Sequence, residues 1–183
     1  TVFNPSHVGG LFSTFDAMAV GEVDYLTGGI PAHYSGRLSS VLDIGLRPGR
    51  TNFGVMGMVS LLASKLLVEG PLPFKGSSFL VSGRRTYAAK VIPLFTDYEL
   101  PYYFNDGSGK LAFPLPSGVL VTVTGYIGND VLSYDFADAV SGAAGLTLRV
   151  DWGNRLLGLN YDDFLFGKPL RLGASITEFS TTV

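Results

Sequence analysis

Leu115-Pro116-Ser117-Gly118 followed by Val119-Leu120-Val121-Thr122-Val123-Thr124-Gly125-Tyr126-Ile127 decides how the rest of the chain is read. Pro116 and Gly118 supply a tight turn, because proline presets one backbone angle and glycine tolerates the reversal. Beyond the turn, Val119, Val121, Val123, Gly125 and Ile127 alternate with Thr122, Thr124 and Tyr126. Successive side chains of a strand point to opposite faces, so this segment is a strand with one apolar face and one polar face.

The same alternation recurs on both sides. Over residues 77–87, Phe79, Val81 and Gly83 oppose Ser78, Ser82, Arg84 and Thr86. Over 102–113, Gly107, Gly109, Leu111 and Phe113 oppose Asp106, Ser108 and Lys110. Over 152–163, Leu157, Leu159 and Tyr161 oppose Asn154, Asn160 and Asp162. From residue 170 onward, Leu170, Leu172, Ala174 and Ile176 oppose Arg171, Ser175 and Thr177. Residues 53–69 read as one further strand whose faces stay unassigned, since Ser60, Ser64, Lys65 and Glu69 do not share a parity. About six antiparallel strands result. Their connections alternate between short (near 70–76, 115–118 and 165–169) and long (near 88–101 and 129–148). All short turns therefore gather at one end of the sheet.

Upstream the chain changes character. Asp16 is a plausible N-cap for a short helix over 17–21, and residues 22–26 alternate as a strand. Residues 28–44 hold two sharp turns around Gly28-Gly29 and Ser35-Gly36, then a strand at Val41-Leu42-Asp43-Ile44 that Pro48-Gly49 stops. A boundary near residue 50 divides the chain into residues 1–50 and 51–183.

Composition narrows the function classes. The 183 residues are 46% hydrophobic and 15% charged, with 24 glycines and 13% aromatics, which suits a turn-rich β protein. A net charge of −2 offers no electrostatic footprint for nucleic acid. Without cysteine there is no disulfide framework and no thiolate metal site. No apolar run approaches the ~20 residues of a membrane helix, which leaves a membrane β-barrel open.

A soluble sandwich buries its apolar face against a second sheet, whereas a membrane barrel turns that face to lipid and keeps a polar lumen. Three features favour the barrel. The apolar faces are aliphatic with Tyr87, Tyr103, Phe113 and Tyr161 near strand ends; the opposite faces carry Asp106, Lys110, Asn154 and Asp162; and the strands are long. Arg85 shares the outward parity of Phe79 and Val81, and its place beside Tyr87 before a long loop puts it at an interface. There a charge costs about 0–1 kcal/mol rather than the roughly 2–4 kcal/mol of the midplane. Six strands cannot close such a barrel, so the expectation is a fragment of a longer chain.

Ahead of such a sheet, residues 28–44 resemble the end of the plug domain of TonB-dependent outer-membrane receptors. The glycine turn Gly28-Gly29-Ile30-Pro31-Ala32, the segment His33-Tyr34-Ser35-Gly36, the turn Arg37-Leu38-Ser39-Ser40 and the strand Val41-Leu42-Asp43-Ile44 carry the likeness. Glu22-Val23, Leu66-Leu67-Val68-Glu69-Gly70-Pro71-Leu72, Ser82-Gly83-Arg84-Arg85-Thr86-Tyr87, Tyr102-Tyr103-Phe104 and Trp152-Gly153-Asn154-Arg155 resemble further elements of a Bacteroidetes-like subgroup. Ser35 departs from the glycine more usual there.

The resemblance implies a mostly β fold: the C-terminal part of an α+β plug over 1–50, then about six strands of a transmembrane β-barrel of ~22 strands over 51–183. It implies energised uptake of a scarce ligand (siderophore, vitamin, metal chelate or glycan) across the bacterial outer membrane. The implied partners are a TonB-type energising complex, the small-molecule or glycan ligand, and outer-membrane lipid and lipopolysaccharide; neither a cofactor nor nucleic acid is implied. Arg37 becomes a candidate plug–barrel lock, Gly28, Gly29, Tyr34 and Gly36 the turn and hinge of the plug, and His7, Phe12, Ser13 and Phe15 a ligand-facing plug loop. Two rivals stand beside this reading: a soluble β-rich carbohydrate-binding module with Trp152 and tyrosines as stacking surface, and a non-transporting outer-membrane protein.

Enzyme chemistry finds no foothold. His7 and His33 lack a ligand spacing, Asp162-Asp163 lack a calcium-loop register, and no Gly-x-Ser-x-Gly elbow or Gly-Lys-Ser phosphate cradle occurs. The expectation is a protein that is not an enzyme, with no catalytic or metal residues. If Arg37 locks the plug, Arg37→Ala raises passive leak through the complete receptor in a conductance assay; unchanged conductance returns Arg37 to a local turn role.

Overall fold

Alternating sequence becomes antiparallel sheet throughout the computed structural model, which describes residues 6–7, 10, 12–31, 34, 40–97, 101–135 and 147–183. Near the N-terminus β1 (Ser6–His7) pairs with β2 (Phe12–Ser13), and β3 (Val20–Leu26) pairs with β4 (Val41–Leu46) with an irregularity between Val20 and Glu22. A seven-stranded sheet follows in simple chain order: β5 (Gly54–Val59), β6 (Ala63–Pro71), β7 (Ser78–Thr86), β8 (Tyr102–Pro114), β9 (Leu120–Asp135), β10 (Thr147–Leu165) and β11 (Lys168–Thr182). Every neighbouring pair is antiparallel, and β5 and β11 are the edges of an open sheet. Between β7 and β8 the short helix α1 (Ala88–Val91) runs into a tighter turn at Ile92–Leu94.

Two expectations are corrected. Residues 53–69 are two strands rather than one, so the sheet has seven strands instead of about six. The break falls at Ser60, whose hydroxyl accepts from the amides of Leu62 (3.3 Å) and Ala63 (3.1 Å) and donates to the Ala63 carbonyl (3.0 Å). A serine turn needs neither glycine nor proline, and the surrounding apolar run hides it. The break also resets the parity, so that even-numbered residues of β5 pair with Lys65, Leu67 and Glu69 on one face of β6.

The expected helix over 17–21 is a single turn at 17–19 followed directly by β3. Asp16 does cap it: its side chain accepts from the Met18 amide at 3.1 Å, while its carbonyl accepts from Ala19 and Val20. Ala19 is fully buried against Leu67 and Leu80, with Met18, Leu46 and Met56 packed around them. That packing holds the turn where it is and lets Val20 begin pairing with Leu46.

Connections at one end of the sheet are short, at 72–77, 115–119 and 166–167. Phe166 (φ 52°) and Gly167 (φ 75°) form the last of these, with both central residues left-handed as two-residue hairpins require. At the other end lies the long connection 87–101, but 60–62 there is short, an exception to the expected alternation.

The polarity of the sheet is inverted relative to a soluble core. Val55, Leu66, Val81, Ile127, Leu157, Leu159, Leu172 and Ile176 are each at least half exposed, whereas Glu69, Ser78, Ser82, Thr86, Thr122, Asp130 and Asn154 are buried. The N-terminal segment covers part of that polar face. Gly49, after β4, passes so close to β7 that an added Cβ would run into the Phe79 carbonyl oxygen. Gly49→Ala is therefore expected to destabilise the fold by roughly 1–3 kcal/mol in denaturant unfolding. Gly28→Ala, which meets nothing within 4 Å, is the control and should stay within about 0.5 kcal/mol.

Candidate functional site

Strand register builds a charged seam on the covered face. Lys65 pairs across to Arg84, and Arg84 to Asp106, so three charged side chains of one parity stand side by side. One step toward the long-connection end, Phe104 pairs with Asp130 and Asp130 with Trp152. Asp106 and Asp130 therefore sit on neighbouring strands two residues out of register. That diagonal spans roughly 7–8 Å, a gap that a planar ring can bridge.

His7 fills it. The imidazole is 1% exposed and lies flat on the Phe104 ring, with centroids 4.0 Å apart and planes within 5°. Its Nδ1 is 2.8 Å and 2.9 Å from the two carboxylate oxygens of Asp130, and its Nε2 is 3.0 Å from Oδ2 of Asp106. Tyr102 donates its hydroxyl to Asp130, Arg84 Nε donates at 3.1 Å to the same Asp106 oxygen that faces His7, and the Arg84 guanidinium stands 4.9 Å from the centroid of Phe104. Burial opposes charge on the ring, but hydrogen bonds to Asp106 and Asp130 and their negative charges outweigh it and raise the His7 pKa above 6.5.

Further links extend the seam along the N-terminal segment. Arg84 Nη2 donates to the Ser13 carbonyl at 2.6 Å, and Lys65 Nζ donates to Asp16 at 3.0 Å. Arg47 donates through Nε to the Met18 carbonyl at 3.1 Å and through Nη2 to Glu69 at 3.0 Å. Glu69 also accepts from the Arg50 amide at 3.1 Å, and Lys110 Nζ reaches the Leu46 carbonyl at 2.7 Å. The hydrogen bond to Glu69 raises the Arg47 pKa, with burial opposing. Each of these side chains thus finds a partner as it loses water, although Oδ2 of Asp16 is buried without a hydrogen bond while Oδ1 takes both Lys65 and the Met18 amide.

The residues singled out from sequence fall in different places. His7 lies at the centre of the seam; Phe12 tilts against Phe104 at 5.5 Å, and Ser13 contributes its carbonyl to Arg84. Phe15 is half-buried beside them, its amide donating to the Ser13 hydroxyl at 3.1 Å. Gly28 and Gly29 lie in the bend after β3, where Gly29 has φ 61°. Tyr34 donates its hydroxyl to Asp43, which raises its pKa to about 12. Arg37 and Gly36 lie outside the described residues. The wall partners Lys65, Glu69, Arg84, Asp106 and Asp130, and Arg47 opposite them, were not singled out as site residues. Alternation marks polar parity only for Arg84 and Asp106; the faces of Lys65 and Glu69 stay unassigned in the sequence, and Asp130, expected in the 129–148 connection, lies within β9.

Among the described residues no group of three or more His, Cys, Asp or Glu side chains is arranged to hold a metal ion. Both ring nitrogens of His7 already face carboxylates, so neither offers a free lone pair. The chemistry this arrangement can do is binding and release of one protein segment by another. Arg47→Met leaves Glu69, 1% exposed, with Arg50 alone. A fully buried pair broken this way costs about 3–5 kcal/mol, so with Arg47 partly exposed a loss of roughly 2 kcal/mol is expected in unfolding experiments. Glu69→Leu added to Arg47→Met should recover most of it. No family model matches the chain, and neither curated proteins nor solved structures provide a match.

Proposed function

We propose that this chain is part of a TonB-dependent outer-membrane receptor, with residues 1–50 the C-terminal part of its plug and β5–β11 a stretch of its barrel. The inverted polarity of the sheet carries the reading. A broad exposed aliphatic face marks contact with lipid or another apolar partner, and a charged face toward a covering segment suits a wet interior. Strands of 13–19 residues from β8 to β11 exceed the ~9–11 needed to cross a bilayer.

A polar border on the exposed face supports it. Ser64, Arg85, Asn105, Asn129 and Ser180 lie in one row across six strands, with Gly153 completing it on β10. Below that row, toward the short turns, come Val68, Val81, Gly109, Gly125, Leu157 and Ile176. The exposed Arg155–Glu178 pair, 3.4 Å apart, shifts the border one row down at β10 and β11. Tilted strands in a barrel make a level membrane surface cross the register obliquely in this way. Arg85 then sits where a charge is tolerated.

In this reading the open edges of β5 and β11 pair with further strands, because unpaired backbone in lipid costs several kcal/mol per group. The work is energised uptake of a scarce ligand, the plug held by the charged seam until an inner-membrane TonB-type complex pulls on it. The exposed aliphatic face predicts that the full-length protein floats with outer-membrane lipid, needs detergent for extraction and shows heat-modifiable gel mobility. Release into buffer without detergent would make the apolar face a docking surface of a soluble module instead.

A further inference from the structure

We infer that His7 is a proton-operated latch, holding the N-terminal segment on the sheet as an imidazolium clasped by Asp106 and Asp130 and loosening it when the proton leaves. Its functional consequence rests on the receptor reading; the latch itself rests on the geometry.

A neutral imidazole has one N–H donor and one lone pair. Here both nitrogens face carboxylate oxygens, at 2.8 Å and 3.0 Å. Only the doubly protonated ring can donate to both; a neutral ring must aim a lone pair at an anion. The surrounding charges agree. From β7, Arg84 balances Asp106; from β8 come Asp106 and the neutral Tyr102 and Phe104; from β9 comes Asp130. Tyr126, on β9, lies near enough to feel the charges of Asp106 and Arg84, and Lys65 on β6 is held by Asp16. The facing residues of β2, Phe12 and Ser13, are uncharged. With His7 protonated, two cations meet two anions; with it neutral, one buried carboxylate is left without a cation.

The sign follows from linkage. The seated segment raises the His7 pKa above 6.5, so the clasp is complete below that value and is lost as pH rises through the raised one. One linked proton changes the seating equilibrium by up to about tenfold per pH unit above it. Mild acidity tightens the seat, and alkalinity frees it.

Thr14, 3% exposed and next to Ser13, whose carbonyl holds Arg84, supplies a reporter in a chain without cysteine. The full-length receptor in native outer-membrane vesicles carries Thr14→Cys as sole cysteine. Its maleimide labelling rate is divided by that of a receptor with the exposed control Ser117→Cys, which cancels the thiol's own pH dependence. The ratio should climb as pH rises from about 6 through the raised His7 pKa, by up to about tenfold for each further pH unit. With His7→Gln it should be high and flat. With Asp130→Asn it should be low and flat, since a neutral ring can donate to Asp106 and accept from the new amide. A wild-type ratio that stays flat, or rises equally with His7→Gln, overturns the latch. Hydrogen exchange over residues 12–20 of the unsubstituted receptor, corrected for intrinsic rates, must show the same response and covers a Thr14→Cys variant that folds poorly. The two readings fail separately: a detergent-free soluble protein with pH-dependent labelling loses the receptor and keeps the latch.

Discussion

Charge on the covered face of a sheet has to be answered by something, and that requirement organises this molecule. Lys65, Glu69, Arg84, Asp106 and Asp130 project from four adjacent strands toward the side that is shielded from solvent. An unpaired charge there would cost several kcal/mol after relaxation. The N-terminal segment supplies the missing partners: His7 for the two aspartates, Asp16 for the lysine, Arg47 and Arg50 for the glutamate. Its path across the sheet is the path that pairs them.

Apolar packing under this segment is small by comparison. Ala19 on Leu67 and Leu80 is its buried nucleus, with three partly buried neighbours. Hydrophobic burial is non-directional and indifferent to pH, whereas ion pairs and charge-assisted hydrogen bonds are strong only while geometry and protonation hold. A segment seated mainly by the second kind of interaction can be firmly placed and still be releasable. The exposed aliphatic face has the opposite character and offers a broad, unselective surface. The same strands carry both, because each successive residue changes face.

Alternation was legible from the first strand read, and so was the inside-out placement of Asp106, Lys110 and Asn154. The serine turn at Ser60 escaped, since its signal is a side-chain hydrogen bond rather than a glycine or proline. The short helix expected after Asp16 escaped for a different reason: the capping chemistry is present, but Ala19 packing and Val20–Leu46 pairing end the turn at once. Arg37, singled out by the resemblance, lies outside the described residues; among those described, the cations that meet the sheet from the N-terminal segment are His7, Arg47 and Arg50.

By itself the sequence determined the class of fold, the two-faced strands and the order in which they pair, because period-2 alternation and short turns act between residues close along the chain. Only the tertiary structure decided what the polar face binds. His7 lies 99 residues from Asp106 and 123 from Asp130. No local pattern links positions so far apart; a two-residue offset between neighbouring strands, and a ring of the right size to span it, does.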